Sequence, residues 1–366
     1  MRTPGKTCWT VFTLIVLLSA CTPQLVPGLP EADVSTCHII YDAGSKRTRL
    51  YVYEQTATGW LRHSGPKTVA LADPARAIRG KTMSDADTVV AEIVTAVENI
   101  RHDGPADKKG EPEWLAFDWR ERCNVDAVSV YATAGMRMAK QQDAVATEKL
   151  WELLNDKLSV AVGMPVTTRT VSGYEEGLFA WLAVRERQVD GDFGVTEMGG
   201  ASLQVTFPCP SCKASRQVKV KGRSLAVYSY SFFGWGQDEA WEKFGSSPAC
   251  TRGAGVDNPD WKEADCAVEM ASLSDTFAYL GAKVRNADGL RWYLSGAFRY
   301  RQDTDIDQFC RQGMDSGYEQ ESSCFRAVYL QNVLDILGMP GDSEPTEADW
   351  TLGAVVCTAT RCLETQ

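Results

Sequence analysis

Around positions 37–53 the chain runs apolar, breaks at an acid and a glycine in YDAGSKRTRLYVY (41–53), and then resumes with apolar and polar residues in alternation. A period of two around a glycine turn predicts two strands joined by a tight hairpin. The arrangement returns in GVTEMGGASLQVTF at 194–207. Between the two hairpins the pattern predicts a third strand near Thr68, then a helix capped by Ser84, with Val89, Val90, Ile93, Val94, Val97 and Ile100 at helical spacing. A Gly/Lys-rich surface loop over 103–113 follows, then a strand in VDAVSVYATAG (125–135), a helix over 143–160, and VTTRTVSG leading into a helix over 175–187. Beyond the second hairpin, strand character over 217–230 gives way to helices near 267–284 and 325–337.

Both hairpins place an acid two residues before a glycine at the strand-to-turn junction, Asp42 before Gly44 and Glu197 before Gly199. Two similar lobes facing one another would aim both turns at one cleft. Glycine lets a backbone approach a ligand closely, and successive N–H groups in such a turn cradle anions. Phosphate repels the acids, so they belong there only if a cation lies between them. Either hairpin alone reads more readily as an ordinary glycine turn; the pair, taken together, points to a phosphate chain and its metal.

Composition narrows the setting. The 366 residues, 44% hydrophobic and 23% charged, suit a globular protein of about two domains. A formal net charge of -10 with no dense basic block argues against nucleic acid as a partner. Arg2 and Lys6 precede an apolar run over 9–20, too short for a comfortable membrane span, which reads as a signal peptide (1–20) followed by a linker (21–36). The expected location is therefore exported: secreted, periplasmic or on the outer membrane. Leu18-Ser19-Ala20-Cys21 resembles a bacterial lipobox, in which Cys21 carries a lipid and attaches the chain to a membrane. Without Cys8 and Cys21, ten cysteines remain, an even set that suggests disulfides in an exported chain. Neighbouring positions pair Cys250 with Cys266, Cys310 with Cys324 and Cys357 with Cys362; Cys209 with Cys212 and Cys37 with Cys123 follow by elimination. Cys209-Pro-Ser-Cys212 also fits a redox or zinc pair.

Five stretches, IIYDAGSKRTRLYVY, VYATAGMRM, SGYEEGLFAWLAV, GVTEMGGASLQVTF and YSYSFFGWGQDEA, occur in the order of the motifs of the nucleoside triphosphate diphosphohydrolases, the apyrase or ecto-nucleotidase family of the actin-like superfamily. The resemblance covers about 37–360, and ATAGMR (132–137) is its most specific piece. It implies an α/β, actin-like fold of two ribonuclease-H-like lobes with the active site in the cleft between them. Lobe I would be 37–170 completed by 345–366, and lobe II 171–344. It also implies a monomer that uses Mg²⁺ or Ca²⁺ to hydrolyse nucleoside tri- and diphosphates.

Hydrolysis of a terminal phosphoanhydride needs neutralised phosphate oxygens, an in-line water and a base for that water. Glu176 of SGYEEG matches the family's catalytic base, with Glu175 as its near rival. Ser202 and Gln204 lie two apart on one strand face and match positions that hold the water. Thr133 matches the second motif's threonine and would touch the metal's water shell beside Ala134. Gly44, Ser45, Lys46, Arg47, Thr48, Gly199, Gly200 and Ala201 would cradle phosphates. Asp42, Glu197, Thr133 and Gln237 would hold the metal, mainly through water. The nucleobase needs an aromatic surface, with Tyr329 as the first candidate and Phe298 or Phe325 behind it; Trp350 in DWTLG would pack.

The match departs in places. Lys46 and Arg47 replace small residues, Glu197 stands where Asp is usual, and Arg185 replaces an asparagine. Lys46 and Arg47 would grip the terminal phosphate or crowd it, which leaves as the alternative a catalytically impaired nucleotide-binding protein of the same fold. An exopolyphosphatase or sugar kinase of the superfamily would explain the hairpins but not ATAGMR.

Overall fold

A computed structural model describes residues 34–102, 116–187, 191–245, 247–251, 260–285, 287, 289–300, 305–312 and 320–363. The leader, Cys21, nearly all of the linker and the Gly/Lys-rich loop lie outside the described residues.

Two mixed sheets are built. The first holds β1 (Ser35–Ala43), β2 (Arg47–Thr56), β3 (Gly59–Ser64), β4 (Thr68–Val69), β5 (Arg101–His102), β6 (Cys123–Ala132) and β7 (Val166–Thr170), in the order β5-β3-β2-β1-β6-β7 with β4 on β2. The second holds β8 (Phe193–Met198), β9 (Ser202–Pro208), β10 (Arg216–Val220), β11 (Arg223–Phe233), β12 (Arg291–Gly296) and β13 (Glu344–Pro345), in the order β10-β11-β9-β8-β12-β13. In each sheet an antiparallel hairpin, β1-β2 or β8-β9, continues through parallel strands, β6 and β7 or β12 and β13. The resemblance between the hairpins is thus a resemblance between whole sheets.

Alternation along the strands sorts residues between three apolar clusters. Ile39, Tyr41, Leu50 and Val52 pack into the first lobe with Val89, Val90, Ile93, Leu150, Leu154 and Leu158. Their neighbours Ile40, Tyr51 and Tyr53 turn to the opposite face and pack between the sheets against Leu178, Trp181, Phe193, Val195, Leu352 and Val355. Leu203, Val205 and Phe207 fill the second lobe with Phe277, Phe325, Tyr329 and Val333. The period of two therefore puts Asp42 on the face of Ile40, and Glu197 on the face of Phe193 and Val195, toward the interlobe layer.

That layer contains two helices, Gly173–Glu186 and Trp350–Thr360, packed on each other. The second also lies against β1, and its Thr351 hydroxyl is 2.8 Å from that of Tyr53 on β2. All five expected disulfides form: Cys37–Cys123, Cys209–Cys212, Cys250–Cys266, Cys310–Cys324 and Cys357–Cys362. The Cys209–Cys212 bond removes the zinc reading.

Three local expectations are corrected. The third strand is Gly59–Ser64, because GWLRHS follows a tight turn at Ala57-Thr58, while Thr68–Val69 is a two-residue pairing on β2. Ser84 sits inside a 3-10 turn, Met83–Asp85; the cap belongs to Thr82, whose amide donates to Asp85 Oδ2 at 2.8 Å. The strand Arg291–Gly296 was not anticipated, since its short apolar run sits between helices and reads as either element.

Candidate active site

The hairpins meet. In the first, Ala43 pairs with Thr48 and the Gly44 amide donates to the Arg47 carbonyl at 3.1 Å, leaving Ser45 and Lys46 at the tip. In the second, Met198 pairs with Leu203 and the Gly199 amide donates to the Ser202 carbonyl at 2.9 Å, leaving Gly200 and Ala201 at the tip. The two turns have the same geometry. Their tips are so close that a Cβ on Gly200 would sit 2.4 Å from Ser45 Oγ. The cleft beneath them has a volume of about 520 Å³. Asp42, Gly44, Ser45, Thr133, Ala134, Glu176, Glu197, Gly199, Gly200, Ala201, Ser202 and Gln237 all line it.

Glu176 is placed by the start of its helix. Ser172 caps that helix by accepting from the Glu175 amide at 3.2 Å, and Glu175 Oε2 accepts from the Ser172 amide at 2.8 Å, a reciprocal capping box. Glu175 is used up by this cap and by Arg169 at 2.8 Å. Glu176, one position on, is 4% exposed and faces the cleft.

Arg137 Nη2 donates to Glu176 Oε2 at 2.9 Å and to Ser202 Oγ at 3.1 Å, while its Nη1 donates to the Val171 carbonyl at 3.0 Å. Ser202 Oγ also accepts from Gln204 Nε2 at 2.7 Å. With two N–H groups pointed at its oxygen, the Ser202 hydroxyl directs its own hydrogen to Glu176. Burial raises the Glu176 pKa, and the Arg137 charge and Ser202 hydrogen bond oppose that rise.

The floor of the cleft is acidic. Burial pushes Asp42 up to about 7 against the pull of Arg49, whose Nη1 donates to Asp42 Oδ2 at 2.9 Å. Glu197 rises well above the usual carboxylate range through burial and the neighbouring charges of Glu176, Asp349 and Asp42. Two buried oxygens here, Glu197 Oε2 and Gln237 Oε1, have no hydrogen-bond partner. Buried acceptors without donors amid repelling carboxylates are the surroundings a cation relieves, so the residues present fit one. Among the described residues no three His, Cys, Asp or Glu side chains converge as direct ligands.

Several expected residues lie elsewhere. Lys46 Nζ is 2.9 Å from Asp238 Oδ1, which the buried Arg326 also holds at 2.7 Å. Arg47 is exposed on β2, and neither it nor Lys46 lines the cleft. Thr48 is buried, its hydroxyl accepting from the Leu71 amide at 3.3 Å, so it braces the hairpin from behind. Gln204 is fully buried behind Ser202, with Nε2 shared between Ser202 and Ser231 at 2.7 and 3.1 Å. Tyr329 is a correction: it is fully buried in the second lobe, stacked on Phe325, with its hydroxyl donating to the Trp235 carbonyl at 2.6 Å. Neither it nor the equally buried Phe298 and Phe325 offers a face to a base. Arg185 lies away from the cleft, over Trp181 and Phe193.

Sequence reasoning gave no role to four residues that reach the site. Arg49 and Arg137 stood inside quoted motifs, and their partners lie on other strands and helices. Asp349 lines the cleft and caps the C-terminal helix by accepting from the Thr351 amide at 3.0 Å, a role its place before the DWTLG helix could have signalled. Tyr51, Trp350 and Tyr300 are the aromatics that line the cleft among the described residues; the first two are nearly buried, while Tyr300, at the end of the 3-10 turn Ala297–Tyr300, is half-exposed, with the Arg299 guanidinium 4.4 Å from its ring centre.

Two matched lobes closing hairpins over a shared acidic cleft define an actin-like fold. An exopolyphosphatase-like protein superposes with a TM-score of 0.52 at 13% identity, over 90% of this chain and 99% of that one. The Ppx/GppA family member of Aquifex aeolicus does so with a TM-score of 0.50 at 14% identity, over 89% and 98%. More particularly, residues 119–252 match the GDA1/CD39 (nucleoside phosphatase) family. Ectonucleoside triphosphate diphosphohydrolase 3 of Mus musculus is 24% identical over 361 residues, 88% of this chain and 62% of that protein. The likeness to nucleoside triphosphate diphosphohydrolases read from the motifs is thereby borne out. The chain spans less than two thirds of the length of these curated relatives.

Proposed function

We propose that the chain is an exported apyrase that removes the terminal phosphate of nucleoside tri- and diphosphates with a divalent metal and a Glu176-activated water. The observation that carries this reading is the Glu176–Ser202–Arg137 cluster, open to a cleft whose two walls are glycine hairpins. Five disulfides and the apolar leader support export. Among the described residues no helix is long and apolar enough to cross a membrane.

In the mechanism the hairpin-tip amides of Ser45, Gly200 and Ala201 receive phosphate oxygens, and Ser202, anchored by Gln204, orients a water in line with the terminal phosphorus. Glu176 takes a proton from that water as its oxygen bonds phosphorus; the anhydride oxygen departs with its bonding electrons, and Glu176 later returns the proton to solvent. Mg²⁺ or Ca²⁺, held by Asp42, Glu197, Thr133 and Gln237 mainly through water, would neutralise phosphate charge. Tyr300 would stack on the base. Purified protein is expected to release phosphate from ATP and ADP with Mg²⁺, Ca²⁺ or Mn²⁺ and to lose that activity in chelator. Equal release with chelator would remove the metal from the mechanism.

The impaired-binder alternative rested on Lys46 and Arg47 crowding the phosphate and on Glu197. Lys46 is instead tied to Asp238 and Arg47 lies outside the cleft, which weighs against it.

The rate's acid limb follows Glu176, whose charged form is the base. Burial raises its pKa, so activity is expected to fall, as pH drops, at a pH above the ordinary glutamate range. Arg137 is the cation facing Glu176; Glu197 and Asp42 are nearby acids whose protonation the Glu176 charge favours. Arg137→Ala removes the stabilising charge and is expected to move the acid limb of kcat further up. A limb that stays in place or moves down contradicts the assignment of Glu176.

A further inference from the structure

The two hairpins are matched in register but not in charge. Asp42 pairs across its hairpin with Arg49, and Glu197 pairs across its own with Gln204. On the second side the acid keeps an oxygen without a partner, Glu197 Oε2, and the opposite residue turns its amide away toward Ser202 and Ser231. On the first side Arg49 binds its acid directly, with Nη1 2.9 Å from Asp42 Oδ2. The guanidinium also stands at the phosphate turn: a Cβ on Gly44 would lie 3.5 Å from Arg49 Nη1 and 3.6 Å from Asp42 Oδ1. Arg49 lines the cleft, its side chain 40% exposed, so it has room to change partner.

We infer that Arg49 is a resident cation of the first phosphate turn, which competes with the divalent metal for Asp42 and passes to a substrate phosphate when the metal arrives. An arginine satisfies either partner, since its planar fork matches carboxylate and phosphate alike. Metal and polyphosphate then help each other: the metal frees Arg49 from Asp42, and the phosphate gives Arg49 a replacement for it. Binding of the two is coupled, and the coupling is reciprocal. The first turn carries a positive charge of its own, so the metal's work falls more heavily on the Glu197 side. The inference rests on the cation site proposed above.

The test is calorimetric titration of the full chain with Ca²⁺, alone and with imidodiphosphate as an unhydrolysed phosphoanhydride probe. In the wild type, imidodiphosphate is expected to tighten Ca²⁺ binding about tenfold, within the usual range of such couplings. Arg49→Gln is expected to bind Ca²⁺ alone about tenfold tighter than the wild type and to lose most of the tightening by imidodiphosphate. Ca²⁺ binding by Arg49→Gln alone that is no tighter than wild type overturns the inference while leaving the cation site standing. Should that variant not fold, Arg49→Lys serves, because a single flexible ammonium holds Asp42 less firmly than the guanidinium fork, and the same outcome overturns the inference. A wild type that takes up no Ca²⁺ even with imidodiphosphate sinks the cation site itself, and the inference with it.

Discussion

Replacing Glu176 by glutamine is expected to lower phosphate release from ATP by about 10²–10⁴-fold, the range a positioned general base supplies, while ATP still binds. Glutamine keeps the size of the side chain and an oxygen to accept the Arg137 hydrogen bond, now 2.9 Å long. It cannot take the water's proton. The hairpin cradles are untouched by the change, which is why binding should survive it. The substitution also removes one carboxylate from a crowded group, since Glu176 pushes up both Asp42 and Glu197. The thermal midpoint without metal is therefore not expected to fall. Turnover within tenfold of wild type would show that another group activates the water, and loss of ATP binding would show that Glu176 serves the cradle instead.

The second large effect is expected far from the chemistry, at Gly353. The helices Gly173–Glu186 and Trp350–Thr360 cross so closely there that a Cβ would lie 1.8 Å from the Phe179 carbonyl oxygen and 2.9 Å from the Ala183 nitrogen. Both obstacles are backbone atoms of a buried helix, so no side chain can move aside. Gly353→Val must push the helices apart, and overpacking of this kind costs about 3 kcal/mol. The loss reaches the site because Glu176 lies in the first turn of one helix and Asp349 caps the other. Denaturant unfolding should report a lower midpoint, and the folded fraction should show reduced kcat. Unchanged stability and turnover would mean that the crossing carries no strain and does not set the position of Glu176.

The fold was legible where period and punctuation agree. YDAGSKRTRLYVY and GVTEMGGASLQVTF alternate around glycine, and each became the hairpin its pattern predicted. GWLRHS and RWYLSG are six residues each, too short for period to separate strand from helix, and both were missed. At the site, the acids, glycines and Glu176 were legible because the motifs place them beside turns. Tyr329 was misread: aromatic residues look alike whether they stack on a ligand or fill a core, and only burial tells them apart. Lys46 and Arg47 were misread for a related reason, since charge at a hairpin tip says nothing of where a long side chain finds its partner.

By itself the sequence determined two matched hairpins, an acid and a glycine in each, ten cysteines that pair by neighbourhood or elimination, and a glutamate opening a helix. These are local properties, set by alternation, turn chemistry and spacing along the chain. The tertiary structure alone decided that Arg137 joins Glu176 to Ser202, that Arg49 rather than Lys46 lines the cleft beside Asp42, and that Tyr300 rather than Tyr329 faces the cleft. Each of these depends on which elements pack together, and on the free energy of burying a charge or a ring against groups remote in the chain.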